Sequence, residues 1–380
     1  MGLVLDAEQT LLRSTALDFA RAKLPVANLR RLRDTDDATG FDRGAWQQMA
    51  GLGWTGMLIA EEQGGNAFGY FGLGLVLQAL GRTLAATPLH STVVLSGSAL
   101  ALSGEHRAAR ELLGRIATGE AVAALACEES ALHAPQRCAT TARRTGEGWV
   151  LNGMKRFVLD GHVADALLVL ARSDGKMDDA TGLSLFLLDA STAGLTRRRL
   201  QMVDSRNSAD VGLSEVHLPA DALLGNAGEA AQLLSRTLDI GRIMLAAEML
   251  GMAEEAFEMT LGYLKQRTQF GVPIGSFQAL KHRAVQMFTE LELSRSVVFE
   301  ALSALDEGRE RDVPRLAAVC KARLNDTLLL VSNECVQMHG GIGVTDEFDI
   351  GLYLKRARVA QSQFGNSAFH RERYATLCGF

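Results

Sequence analysis

Apolar residues in the first third of the chain recur at helical spacing. In LDAEQTLLRSTALDFARAKL they fall at positions 5, 11, 12, 16, 19, 20 and 24, one face of a 3.6-residue period, and Phe41 to Leu52 repeats the pattern. The stretch IAEEQGGNAFGYFGLG interrupts it with five glycines. Apolar helices are then predicted over about 70–86 and 91–103, a charged one over 104–117, and Gly119 closes the run.

From about residue 120 the texture changes. Short segments such as AVAALACEES, DALLVLARS and GLSLFLLDA are separated by Gly, Asp and Asn, and the alternation in TGEGWVLNGMKRFVL predicts a hairpin. Gly146 to Gly148 and Asn152-Gly153 read as turns that need positive φ. Long amphipathic runs return from Glu229 to Gln269, Phe277 to Asp306 and Pro314 to His339, with a shorter one over 350–362, and predict an antiparallel bundle. The expected class is α+β: a helical domain over 1–119, a small β-barrel over 120–225 and a helical bundle over 226–380.

Charge narrows the possible ligands. Lys plus Arg total 39 against 44 Asp plus Glu, a net −5 that argues against a nucleic-acid footprint and leaves room for small acidic ligands held by local arginines. No apolar run reaches the roughly 18 residues of a membrane helix, so no membrane partner is expected. Asp6 and Glu8 stand where a secretory signal would be uncharged. Five scattered cysteines without CxxC spacing read as free thiols in a reducing cytoplasm, with Cys320 and Cys335 on buried helical stripes.

Three predicted helix ends carry chemistry. RTQFG (267–271) reads as a helix C-terminus with a glycine cap, Ser276 as the N-cap of the next helix, and QMHGGIGVT (337–345) as a glycine-rich turn. An arginine, amide side chains and bare backbone at helix ends suit a phosphate-bearing cofactor. With IAEEQGG, WVLNGMKRFVLDG and the terminal QSQFGNS, this order of elements resembles the acyl-CoA dehydrogenase family over nearly the whole chain.

The resemblance implies a dimer or tetramer holding FAD, acting on an acyl-CoA thioester to form the 2,3-enoyl-CoA, with an electron-transfer flavoprotein as acceptor. It implies cofactor positions at Arg267, Phe270, Gln278, Gln337, Gly340 and Gly341, which in the family reach largely toward the ADP half of a neighbouring subunit's FAD. Cys127, Phe157 and Leu159 match flavin-side positions; Cys127 replaces a threonine, and Leu159 replaces a residue whose hydroxyl reaches the flavin. Arg242 and Gly365 match substrate-side positions.

The departures concern the base. The family reaction removes an α-proton with a carboxylate, usually a Glu just before a Gly on the final bundle turn. Here that position is Phe364, before Gly365, and phenylalanine neither accepts nor returns a proton. The alternative family position, before an arginine on the first long bundle helix, is Gly241, before Arg242. Of the nearby carboxylates, Asp239 points about 200° around the helix from Gly241. Glu248 lies ~10 Å along its axis. For both, a solvated or ion-paired helix carboxylate is the plainer reading. Gly241, Ala246 and Ala247 either leave room for a wide acyl group or serve close packing. Arg356 and Arg358, in the run KRAR, belong to an interface or a salt-bridge network.

Four readings follow: a base-lacking subunit of a heteromer, a self-sufficient homomer with a relocated base, a non-catalytic binder of acyl-CoA or protein, and an oxidase or monooxygenase.

Overall fold

The computed structural model describes residues 4–380. In chain order the helices are α1 (Ala7–Lys23), α2 (Val26–Asp34), α3 (Arg43–Gly51), α4 (Tyr70–Arg82), α5 (Ser98–Leu102), α6 (Arg107–Ala117), α7 (Ala230–Gln266), α8 (Gln278–Asp306), α9 (Val313–His339), α10 (Ile350–Ser362) and α11 (Ser367–Leu377). The strands are β1 (Ala123–Ala126), β2 (Thr141–Arg144), β3 (Gly148–Leu159), β4 (Ala166–Arg172), β5 (Leu183–Asp189), β6 (Leu195–Arg199), β7 (Ser208–Pro219), β8 (Leu223–Leu224), β9 (Thr268–Gln269) and β10 (Val272–Pro273). The chain forms two compact units, residues 1–35, 70–85 and 242–380 in one, 36–69 and 86–241 in the other.

In the first unit, α1 starts on a capping box in which Asp6 accepts from the Gln9 amide and the Gln9 side chain accepts from the Asp6 amide. Helix α4 is buried from Gly72 to Arg82. It meets α7 backbone to backbone. A Cβ on Gly81 would stand 2.2 Å from the Glu248 carbonyl oxygen, and one on Gly251 would stand 1.9 Å from that of Gln78. Glycine on both helices makes that approach sterically possible. The close contact encloses charge: Arg82 lies 2.6 Å from Glu255, and Gln78 donates to Glu254 at 2.8 Å. Arg295 of α8 reaches the other Glu254 oxygen at 2.9 Å. Proline in the first turn of α9 agrees with the predicted start there.

In the second unit, β1 to β8 form one sheet in the order β6-β7-β3-β2-β4-β5-β8, with β1 parallel to β4. The expected barrel is not closed: β6 and the two-residue β8 end the path and do not pair with each other. The predicted hairpin is β2–β3, closed by the Thr145 amide on the Gly148 carbonyl at 2.8 Å. Neither Gly146 nor Gly148 has positive φ. Gly148 instead admits the Leu218 carbonyl, which a Cβ would approach to 2.0 Å. Asn152-Gly153 is no turn either. It lies inside β3 at a register shift, where a Cβ on Gly153 would collide with Thr140.

Two other expectations change. RTQFG is not a helix end with a glycine cap: α7 stops at Gln266, and Phe270 (φ +55) and Gly271 (φ +78) form the turn of the β9–β10 hairpin. Ser276 does not cap α8; Phe277 occupies that position, and the Ser276 hydroxyl donates to the Pro273 carbonyl. Among the described residues, no helix is long and apolar enough to cross a membrane, and all five cysteines are free. The first three residues of the N-terminal reading lie outside the described residues.

Candidate active site

The terminal turn of the bundle is held from four directions. Helix α10 ends at Ser362, and the chain passes through Phe364 at φ +57 and Gly365 at φ +108 before α11 begins. Phe364 is buried, 9% exposed, and has a left-handed conformation that bulky residues rarely adopt. Its carbonyl accepts from Arg242 Nε at 3.2 Å and lies 2.9 Å from His370 Nε2. A carbonyl only accepts, so this contact puts the proton on Nε2 of His370. The next carbonyl, Gly365, accepts from Lys321 Nζ at 3.2 Å and from Asn325 Nδ2 at 3.3 Å. Gly365 is obligatory, since a Cβ there would stand 2.4 Å from the Phe369 ring.

Lys321 is the least expected member. It is fully buried, and its ammonium meets Asn325 Oδ1 at 2.6 Å and the Ala360 carbonyl at 2.9 Å as well as Gly365. Burial, and then the neighbouring Arg242 and Arg356 charges, depress its pKa well below the lysine range. Three oxygen acceptors match the three donors of the charged form and oppose that shift.

One of the two candidate carboxylates is already engaged. Glu248 is buried and accepts from Arg356 Nε and Nη2 at 3.2 and 3.0 Å, while Arg356 Nη1 reaches Gln363. Arg356 is therefore part of an internal salt-bridge network, and Arg358 donates to Asn333. Arg242 is 3% exposed; besides holding Phe364, it places its guanidinium 5.7 Å from the Phe369 ring.

The residues of this unit expected to hold a cofactor lie on its surface at one end of the bundle. Tyr263 near the end of α7 stacks on His339 at the end of α9, with ring centroids 4.4 Å apart, and so brings the two termini together. Arg267, Phe270, Gln278, Gln337, Gly340 and Gly341 are all exposed, Phe270 to 92%. Gly340 turns the chain at φ +64, and a Cβ on Gly340 or Gly341 would meet nothing within 4 Å. Open backbone beside a guanidinium and amide side chains fits the phosphate-bearing part of FAD.

In the second unit, the Arg156 amide donates to the Glu128 carbonyl at 2.8 Å, so the segment after β1 lies along the end of β3. This places Cys127, buried, beside the stretch with Phe157 and Leu159, both partly exposed. Phe157 sits at a bulge with φ +52, a backbone conformation that redirects a side chain and suits a ring-stacking position. Behind it the buried Lys155 ammonium pairs with Glu129 at 2.6 Å. Burial opposes ionisation of Glu129, yet the Lys155 charge and hydrogen bonds bring its pKa down to about 2.

Gly241 and Asp239 also belong to this unit, and both are buried. A Cβ on Gly241 would stand 2.7 Å from Leu95 Cδ2 and 3.9 Å from His90 Nε2, in the π-helical segment His90–Gly97. The space beside this glycine is therefore filled by a neighbour, which favours its packing role over an open acyl pocket.

Sequence reasoning missed Lys321, Asn325 and His370. A signal was present for the first two, because Lys321 and Asn325 interrupt a buried stripe with Ala317, Ala318, Cys320, Leu324 and Leu328 at helical spacing.

Comparison with known proteins agrees with this architecture. The acyl-CoA dehydrogenase N-terminal, middle and C-terminal domain models match residues 6–120, 123–218 and 231–376. The chain belongs to the acyl-CoA dehydrogenase family, whose members bind FAD, and is an oxidoreductase acting on CH–CH bonds. It is 28% identical over 377 residues to the probable acyl-CoA dehydrogenase YngJ of Bacillus subtilis, covering 98% of each chain. Its structure is similar to butyryl-CoA dehydrogenase from Megasphaera elsdenii, with a TM-score of 0.90 and 26% identity over the whole of both chains. A variant of the Tcur3481-Tcur3483 steroid ACAD gives a TM-score of 0.85 and 31% identity, over 98% of this chain and 97% of that one.

Proposed function

We propose that this chain is the base-lacking subunit of a heteromeric acyl-CoA dehydrogenase that desaturates an acyl-CoA thioester between its α and β carbons. The observation that carries this reading is Phe364 on the terminal turn, together with Gly241 and the engagement of Glu248 by Arg356. None of the three supplies a proton acceptor, whereas the turn itself is kept in a fixed geometry by four side chains. The Tcur3481-Tcur3483 relative, whose name joins two chains, supports a two-chain arrangement.

In this reading Arg267, Phe270, Gln278, Gln337, Gly340 and Gly341 hold the phosphate-bearing half of an FAD that the neighbouring chain uses. Cys127, Phe157 and Leu159 border the position of a flavin ring. FAD, when bound, accepts the β-hydrogen with its electron pair, and an electron-transfer flavoprotein then takes the electrons. A carboxylate of the partner subunit takes the α-proton. Leu159 has no hydrogen to donate, so this chain gives the ring shape complementarity there and no polar contact. Arg242 contributes by holding the Phe364–Gly365 turn, to whose Phe364 carbonyl its Nε donates.

The test is anaerobic mixing with acyl-CoA, with and without a co-expressed related chain. The reading expects no bleaching of the flavin spectrum by the purified chain alone and bleaching by the co-purified pair. Bleaching by the chain alone shows a self-sufficient enzyme, flavin bound without bleaching in either case a binder, and rapid reoxidation with peroxide an oxidase.

A further inference from the structure

We infer that Lys321 is a positioning residue for the acyl thioester, fixing the Phe364–Gly365 turn through its contacts to the Ala360 and Gly365 carbonyls. The inference rests on the proposed function, in which this turn borders the substrate.

The geometry is specific to that turn. Lys321 lies on α9, between the end of α10 and the start of α11, and its ammonium joins them by donating to the Ala360 carbonyl at 2.9 Å and the Gly365 carbonyl at 3.2 Å. Asn325, one helical turn further along α9, repeats the contact to Gly365 at 3.3 Å and holds the ammonium itself at 2.6 Å. Its own carbonyl accepts from Gln361 at 3.0 Å. The Phe364 carbonyl is drawn inward separately by Arg242 and His370. Two successive carbonyls are thus turned toward the core. In a trans peptide the N–H points opposite the C=O, so the amides of Gly365 and Asn366 are turned the other way. The Gly365 amide has only a long contact of 3.4 Å, to Ser362.

The positive φ at Phe364 and Gly365 gives this clamp a purpose. A phenylalanine at left-handed φ is a strained backbone state, and it persists only where surrounding groups over-determine it. A buried lysine is an expensive way to fill a core, because an alkyl side chain of the same length packs there without desolvating a charge. Its three directed bonds hold a backbone orientation, which a methionine of similar volume does not.

The experiment uses the full chain loaded with FAD, co-purified with its partner where needed, and [1-13C]butyryl-CoA as probe. Lys321→Met is compared with wild type for probe affinity, the carbonyl 13C shift of bound probe, FAD content and thermal midpoint. The expected result is on the order of tenfold weaker binding with the carbonyl shift moved back toward its free value, at unchanged FAD content. Unchanged affinity and unchanged shift make Lys321 a core residue only and overturn the inference. Should Lys321→Met not fold, Asn325→Ser removes one donor from Gly365 and is expected to move the same shift in the same direction; no movement overturns the inference equally. A wild-type protein that binds neither butyryl-CoA nor palmitoyl-CoA overturns the functional reading itself, and is distinct from a loss confined to the variants.

Discussion

Arg242 Nε donates to the Phe364 carbonyl at 3.2 Å, so a residue of α7 holds the turn at the far end of the sequence. Arg242→Met removes this charged donor from a buried carbonyl and is expected to cost about 2–3 kcal/mol. Urea unfolding measures it as a lower midpoint with an unchanged slope. Arg242→Lys recovers little, because an ammonium does not reproduce the directed Nε–H while stacking on Phe369. Equal midpoints for all three proteins contradict this assignment.

The turn carries a phenylalanine in a backbone state that a glutamate adopts at similar cost, so Phe364→Glu is expected to fold. Arg242 and Lys321 bond the backbone of this turn, and the Arg242 charge favours the ionised carboxylate. If the turn still presents its side chain to substrate, flavin bleaching by acyl-CoA accelerates on the order of 100-fold over wild type alone. Stopped-flow absorbance under nitrogen measures this directly. Absence of any gain, with acyl-CoA still bound, means that a carboxylate on this turn is not sufficient for proton removal.

Helical segments were legible wherever burial was one-sided, as in α1, α8 and α9, because a single apolar stripe sets the period. The order of segments was legible for the same reason. What escaped prediction depends on contacts between distant parts of the chain. Gly153 resembles a turn glycine in isolation; only the approach of Thr140 makes it a bulge inside β3. RTQFG resembles a helix cap because Gly271 does have positive φ, but it uses that freedom in a two-residue hairpin turn. At the site, the missing carboxylates at Phe364 and Gly241 were visible residue by residue. The clamp was not, since Lys321 and Asn325 meet Gly365 across 44 and 40 positions.

The α4–α7 contact offers a test of packing. A methyl group on Gly251 would lie 1.9 Å from the Gln78 carbonyl oxygen, a backbone atom that cannot swing aside. Gly251→Ala is therefore expected to destabilise by about 3 kcal/mol or more, despite alanine's better helix propensity. Gly262→Ala is the control: it lies on the same helix, with nothing within 4 Å of its Cβ position, and is expected to stabilise by up to about 1 kcal/mol. Thermal melts of the two variants should move in opposite directions. A shared direction refutes the close helix approach.

The Glu129–Lys155 pair predicts a pH dependence with a definite sign. The folded-state pKa of Glu129 is about 2, below its ordinary 4.5. A depressed carboxylate contributes stability that is present above the unfolded pKa and lost as pH falls through the folded one. The window is therefore pH 4.5 down to 2. Glu129→Gln leaves the buried Lys155 ammonium without its counter-charge and is expected to cost about 3 kcal/mol at pH 7. A protonated glutamate closely resembles glutamine, so the gap between wild type and variant should close as pH falls through that window. Unfolding free energies at matched denaturant, taken from pH 7 to pH 2, give the comparison. A gap that stays constant with pH means that Glu129 acts by shape, through the Ala139 and Thr140 amides it accepts at 2.7 and 3.0 Å, and not by charge.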